Sequence, residues 1–137
     1  MEFGSFLIFR ISGMNLDLKE ITNKLNIIPY RTNLKGHVRN GKYGDYICPE
    51  DSWMAQYVIP KEQTLEEAIN AFIKPYLNKK EIIKELKEKF KVIIWLSLYP
   101  EHYQMSIELS AETLSKIHEL NVCLSITASY LADIYNG

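Results

Sequence analysis

Basic and aromatic residues are concentrated in one segment of this 137-residue chain, between Ile28 and Trp53. Between Pro29 and Gly44 the segment carries four lysines and arginines and no acidic residue. Guanidinium and ammonium groups beside aromatic rings suit anionic partners, through charge-assisted hydrogen bonds and cation–π contacts. The sequence therefore predicts a binding surface formed by Tyr30, Arg31, Thr32, Lys35, His37, Arg39, Lys42 and Trp53.

The same segment has a second interpretation, as an edge hairpin whose lysines and arginines oppose aggregation between sheets. Asn40-Gly41 favours a two-residue type I′ turn, because both central positions of that turn need a positive φ. We therefore expect short strands near residues 35–39 and 42–47 on either side of this turn. The sequence does not decide between a binding surface and a soluble edge.

Residues that could support catalysis or bind a metal are few. The three histidines, His37, His102 and His118, lack metal-ligand spacing, and the chain has no His-Glu-x-x-His or Cys-x-x-Cys motif. Cys48 precedes Pro49 in a predicted turn and is the thiol that we expect to be exposed. Basic residues nearby would favour a thiolate, but a cysteine that is merely packed or exposed is the favoured interpretation. We predict no catalytic residue, metal or cofactor; the alternative is an enzyme that uses Cys48 or His37.

Composition and charge exclude several classes of partner. Sixteen basic and seventeen acidic residues give a net charge of −1, so there is no general attraction to nucleic acid. The longest nearly uncharged apolar run, Val92 to Tyr99, is far shorter than the roughly 20 residues that span a bilayer. The first residues also lack the basic region of a signal peptide. We expect a cytoplasmic protein, with residues 1–137 in a single domain.

Hydrophobic periodicity and capping signals predict the elements that position the basic segment. Asp17, Thr64 and Ser110 stand where helix N-caps are expected, and a further helix restarts after Asn78. Strands are predicted at residues 5–12, 52–59, 92–99, 103–109 and 122–130. This order favours an α+β fold, a mainly antiparallel sheet with helices on one face, with a ferredoxin-like arrangement and an inserted hairpin as the first choice.

Arg10 interrupts the apolar strand predicted at residues 5–12. A charge within such a strand is rarely left unpaired, because burying it alone is costly. We therefore expect Arg10 to meet a carboxylate or to reach the edge of the sheet.

Short motifs along nearly the whole chain resemble those of one known family. They are Phe9-Arg10-Ile11-Ser12-Gly13, Leu16-Asp17, Glu20-Ile21-Thr22, Leu25-Asn26-Ile27 with Pro29, Thr32, Lys35-Gly36, Trp53, Leu109-Ser110 and Leu120-Asn121-Val122. The family is a group of uncharacterised bacterial proteins, the domain-of-unknown-function 4279 family. The resemblance supports the fold and implies neither an activity nor catalytic residues.

Two functions follow from the basic segment. The first is a non-enzymatic binding or interaction domain, in a toxin-neutralising or other partner-binding role, that uses the predicted hairpin and Trp53 to contact a protein partner. The second is a sensor of a small anionic metabolite. Neither function involves nucleic acid or a membrane, and the sequence does not predict an oligomeric state.

Overall fold

The computed structural model, which describes residues 4–41, 44–102 and 104–130, contains a five-stranded sheet, a separate two-stranded hairpin and four α-helices. The strands are β1 (Phe6–Gly13), β2 (Arg31–Asn33), β3 (Val38–Gly41), β4 (Gly44–Ile47), β5 (Asp51–Val58), β6 (Lys91–Leu98) and β7 (Cys123–Ala128). The helices are α1 (Leu18–Leu25), α2 (Leu65–Ile73), α3 (Lys80–Lys89) and α4 (Ala111–Leu120), and a 3-10 turn at Lys74–Tyr76 follows α2.

The large sheet has the strand order β2-β5-β1-β6-β7. Its first four strands are antiparallel neighbours, whereas β6 and β7 pair in parallel. Because β1 and β2 both run antiparallel to β5, the unit β1-α1-β2 joins two parallel strands with β5 between them. The path from β5 through α2 and α3 to β6 likewise joins two parallel strands, with β1 between them. This is the ferredoxin-like arrangement, with the β3–β4 hairpin inserted before β5 and α4-β7 added at the end. The predicted α+β fold is confirmed.

Local side-chain contacts explain where three of the helices begin. The side chains of Asp17, Thr64 and Ser110 each accept a hydrogen bond from the backbone amide three residues later, as an N-cap does. The predicted starts of α1, α2 and α4 are thereby confirmed. Helices α1 and α4 both end at an asparagine in the left-handed region, Asn26 and Asn121, a conformation that asparagine tolerates better than most residues.

The helices cover one face of the large sheet. Leu7, Phe9 and Ile11 of β1 point to this side and are almost completely buried. They belong to a core cluster to which all four helices described above contribute. The opposite face of the sheet carries the intervening residues, and we call it the open face. No helix in the described part of the chain is long and apolar enough to cross a membrane.

The strand predicted at residues 103–109 is wrong over residues 104–109, which form no regular structure; residue 103 lies outside the described residues. The alternating pattern there does not correspond to burial, since Met105 and Ile107 are 45% and 38% exposed. The physical reason lies in β6, whose two edges are occupied by β1 and by β7. No hydrogen-bonding edge of β6 is left for the segment that follows it.

Candidate functional site

The β3–β4 hairpin interrupts the connection between β2 and β5. The turn predicted at Asn40-Gly41 is wrong, because Asn40 pairs with Asp45 and Gly41 pairs with Gly44. The chain therefore reverses between Gly41 and Gly44, and Lys42, a predicted binding residue, lies outside the described residues. A Cβ atom on Gly41 would stand 2.9 Å from the carbonyl oxygen of Gly44, so the close approach of the strands requires a glycine there.

Arg39 fixes the hairpin against the large sheet. Its Nε donates a hydrogen bond to Oδ1 of Asn33, and its Nη2 donates to the carbonyl oxygen of Thr32 at 3.0 Å. Asn33 Nδ2 in turn donates to Oγ of Ser52 at 3.0 Å. Arg39 and Tyr46 are paired and so share one side of the hairpin. That side is consequently directed toward the large sheet, and the hairpin is tied to both β2 and β5.

Asp51 holds the base of the hairpin. Its Oδ1 accepts a hydrogen bond from the backbone amide of Lys35 at 2.8 Å, and its Oδ2 accepts one from the amide of Leu16 at 3.1 Å. These amides, that of Lys35 most strongly, hold the pKa of Asp51 below its ordinary value of 3.8. Asp51 therefore joins the loop after β1 to the segment that enters the hairpin.

We expect Asp51→Asn to lower the melting temperature at pH 7 by an amount that shrinks in acid. The folded-state pKa of Asp51 is lowered, so its contribution to stability is complete above 3.8 and is lost as the pH falls through the folded value. Melting temperatures of wild type and variant between about pH 7 and pH 2.5 test this. Asp45→Asn, a change at an exposed position of β4, is the control. A difference in melting temperature between wild type and Asp51→Asn that stays constant with pH would contradict the expectation.

A cleft of about 620 Å³ lies between the hairpin and the open face. Arg31 pairs with Met54, and Met54 pairs with Arg10, so these three residues form one row across β2, β5 and β1. Since neighbouring strands are about 4.8 Å apart, the Cα atoms of Arg10 and Arg31 are separated by roughly 10 Å. The cleft is lined by Arg10, Arg31, Asn33, His37, Val38, Arg39, Asn40, Gly41, Tyr46 and Met54.

The charges of the cleft are strongly one-sided, since none of the described residues that line it is acidic. Nη2 of Arg10 lies 3.5 Å from Oε1 of Glu50, which confirms that Arg10 meets a carboxylate. Arg31 lies over the ring of Tyr30, 5.3 Å from its centroid, and has no hydrogen bond or ion pair to the rest of the described chain. The acceptors bonded by Arg39 are uncharged. The positive charges of Arg31 and Arg39 are therefore not compensated by any acidic residue in the described part of the chain.

Several of the predicted binding residues meet at this cleft. Arg31, His37 and Arg39 line it. Tyr30 and Thr32 lie beside it and support it, because the Tyr30 ring contacts the Arg31 guanidinium and the Thr32 carbonyl group accepts a hydrogen bond from Arg39.

Other predicted residues lie elsewhere, and some lining residues were missed. The side chain of Lys35 is exposed away from the cleft, and its contact with Asp51 uses only the backbone. Trp53 is fully buried within the core cluster, on the helix side of the sheet. Asn33 and Met54 line the cleft and were not predicted. Asn33 follows Thr32 in β2 and Met54 follows Trp53 in β5; because Thr32 pairs with Trp53, which faces the helices, both lining residues face the open side.

Cys48 is not placed to act as a nucleophile. It is only 3% exposed, so the prediction that it lies exposed in a turn is wrong. Its backbone amide donates to the carbonyl oxygen of His37 and its carbonyl oxygen accepts from the amide of Gly36, both at 2.8 Å, which extends the hairpin ladder and draws Cys48 inward. Within residues 4–41, 44–102 and 104–130, no three His, Cys, Asp or Glu residues are grouped so that they could hold a metal ion.

A second concave surface has the opposite chemical character. It is a groove of about 540 Å³ between α1 and α3, where Asp17, Glu20, Glu85 and Glu88 outnumber the two lysines. One of these lysines, Lys24, is already paired with Glu20 at 2.7 Å. The concentration of arginine at the first cleft is therefore a local property and not a general feature of the surface.

Comparisons with known proteins bear on the family and not on the site. No curated protein and no solved structure shows significant similarity to the chain. One family model matches residues 2–131, which is nearly the whole sequence. This match confirms the resemblance inferred from the short motifs. The chain belongs to the family described as domain of unknown function (DUF4279).

Proposed function

We propose that the protein is a non-enzymatic binding domain, and that the cleft between the hairpin and the open face binds a small anionic ligand. One observation carries this proposal. All three arginines of the chain, Arg10, Arg31 and Arg39, line the cleft, and none of its lysines in the described residues does. Arginine presents a planar fork of donors that matches carboxylate and phosphate groups, whereas lysine offers a compact point charge.

The shape of the site favours a small ligand over a flat protein surface. A volume of about 620 Å³ falls within the range of roughly 300–1,000 Å³ that is typical of small-molecule sites. Met54 and Tyr46 add apolar and aromatic surface to the polar groups. Small-molecule sites combine apolar surface with a few placed polar groups; in this cleft the polar groups form the larger part, which suits a charged ligand. Nucleic acid is not proposed, because the basic residues do not form an extended stripe.

We expect at least one member of a panel of small carboxylates and phosphates to raise the melting temperature of the protein. A ligand that binds only the native state at one hundred times its Kd stabilises that state by about 2.7 kcal/mol. Arg31→Gln should abolish the shift without unfolding the protein, because Arg31 is exposed and its guanidinium group forms no hydrogen bond or ion pair within the described residues, only the contact with the Tyr30 ring. Differential scanning fluorimetry measures both effects.

Lys84→Gln provides the matched control, since Lys84 is exposed on α3 and does not line the cleft. This variant loses the same formal charge and should keep the full ligand-induced shift. A panel that produces no shift in the wild type would overturn the proposal. So would a shift of equal size in Arg31→Gln.

A protein partner is the second candidate, and the outer side of the hairpin favours it. Val38 and Ile47 pair on the side opposite Arg39 and are 57% and 65% exposed; Val38 also borders the cleft, whereas Ile47 does not. Exposed apolar residues grouped in this way are typical of protein interaction sites. We propose that such a partner, including a toxin to be neutralised in the bacterial cytoplasm, would contact this side. Affinity capture with wild type and an Ile47→Ser variant, which leaves the lining of the cleft unchanged, tests it, and a partner retained equally by both would contradict it.

A further inference from the structure

The number of uncompensated charges at the cleft indicates the charge of the ligand, and not only that the ligand is negative. Arg10, Arg31 and Arg39 bring three positive charges to the cleft, and Glu50, paired with Arg10, brings one negative charge. Asp45 is the nearest acidic residue of the hairpin strands in sequence, and it is not among the residues that line the cleft. Two positive charges, those of Arg31 and Arg39, therefore remain without a counter-charge among the described residues.

The two uncompensated guanidinium groups are held in place before any ligand arrives. Arg39 is fixed by Asn33 and by the carbonyl group of Thr32, and Arg31 lies over the ring of Tyr30. Groups that are already ordered lose less conformational entropy on binding. A ligand with one negative charge would leave one of these guanidinium groups unpaired inside the cleft, whereas a doubly charged ligand would pair both.

The cleft also offers surface for an uncharged part of the ligand. Met54 lies between Arg10 and Arg31 in the row across the sheet, and Tyr46 is on the hairpin side that carries Arg39. A thioether and a phenol ring both make favourable contacts with aromatic rings. The two charges therefore surround a region suited to a flat, apolar group.

We propose that the natural ligand of this cleft is a dianion joined to an aromatic ring or a similar flat apolar group. Aryl phosphate monoesters and aromatic dicarboxylates share this chemistry. The inference rests on the proposed function, because it presumes that the cleft binds an anion, and it adds both the number of charges and the apolar portion.

Two matched pairs of probes, measured by isothermal titration calorimetry at about pH 8, separate charge from shape; at this pH a phosphate monoester is fully dianionic. Phenyl phosphate is compared with benzenesulfonate, and phthalate with benzoate. We expect the dianion of at least one pair to bind about tenfold or more tightly than its singly charged partner, as a charge-assisted hydrogen bond would give. The pair that shows the preference assigns the phosphate or the dicarboxylate class.

Two variants and one further probe complete the test. Arg31→Gln should remove the preference for the dianion, and Lys84→Gln should retain it. Inorganic phosphate should bind more weakly than phenyl phosphate if the ring contributes, and equal binding would overturn the aromatic part of the inference. Equal affinity for singly and doubly charged probes would overturn the inference that the ligand is a dianion and would leave the proposed function intact. Failure of every probe to bind would overturn both.

Discussion

Trp53→Ala is expected to lower the free energy of unfolding by about 3–5 kcal/mol, the usual cost of removing a large aromatic side chain from a core. Trp53 is completely buried, and its Nε1 donates a hydrogen bond to Oγ1 of Thr22 at 3.0 Å. The variant therefore leaves a cavity between β5 and α1 and removes the polar contact between them. Urea denaturation followed by far-UV circular dichroism measures the loss without depending on tryptophan fluorescence.

The second tryptophan of the chain provides the matched control. Trp95 is 37% exposed on the open face, where its Nε1 donates to Oγ1 of Thr127 at 3.1 Å. Because solvent already reaches this ring and can replace the hydrogen bond, Trp95→Ala should cost only about 1 kcal/mol. Equal losses in the two variants would contradict the assignment of Trp53 to the core and return it to the surface, where the sequence had suggested a binding role.

Arg39→Ala is expected to weaken binding of an anion in the cleft by about 2–3 kcal/mol, or roughly 30- to 150-fold in Kd. The change removes one of the two uncompensated charges and also releases the hairpin from Asn33 and Thr32. Amides of β3 and β4 should then exchange with solvent faster, because the hairpin contributes no residue to the core cluster and depends on these contacts. Calorimetry measures the first effect and hydrogen exchange the second.

Lys35→Ala removes a positive charge from the same segment without touching the hydrogen bond between the Lys35 amide and Asp51. It should leave both the affinity and the exchange rates of the hairpin close to those of the wild type. Unchanged amide protection in Arg39→Ala would show that the hairpin is held by its base alone. Unchanged affinity in that variant would remove Arg39 from the binding site.

Sequence reasoning succeeded where a local signal was sufficient. The caps at Asp17, Thr64 and Ser110 each depend on a hydrogen bond that spans three residues, so nearby sequence determines them. The apolar pattern of residues 5–12 likewise identified β1 as a strand. The ferredoxin-like arrangement followed from the order of these elements, because short connections leave few ways to assemble them.

It failed where partners are distant in the chain. The alternation in residues 104–109 looks like that of a half-buried strand, but only the position of β7 beside β6 shows that no edge of β6 remains for it. The hairpin turn was wrong for a different, local reason. Its position depends on which residues of β3 and β4 pair, and with glycines on both sides of the reversal the sequence did not indicate that register.

Only part of the candidate site was predicted, because some of its residues are also distant from one another in the chain. Arg31 and Arg39 stood out as basic residues within one short segment. Arg10 was noted only as a charge that needed a partner, because nothing in the sequence shows that β1 lies two strands away from β2 in the sheet. Met54 carries no signal at all until the register with Arg10 and Arg31 is known.

The central position of β1 has a consequence for how the protein is made. Both neighbours of β1 in the sheet, β5 and β6, lie later in the chain, and Phe6 pairs with Ser97. Its apolar residues are therefore synthesised before β5 and much earlier than β6. Pairings between residues so far apart form slowly, because a long loop must close first. The nascent chain thus carries a hydrophobic strand with at least one unpaired edge until β6 has been made, and during that period it is open to aggregation or to chaperone binding.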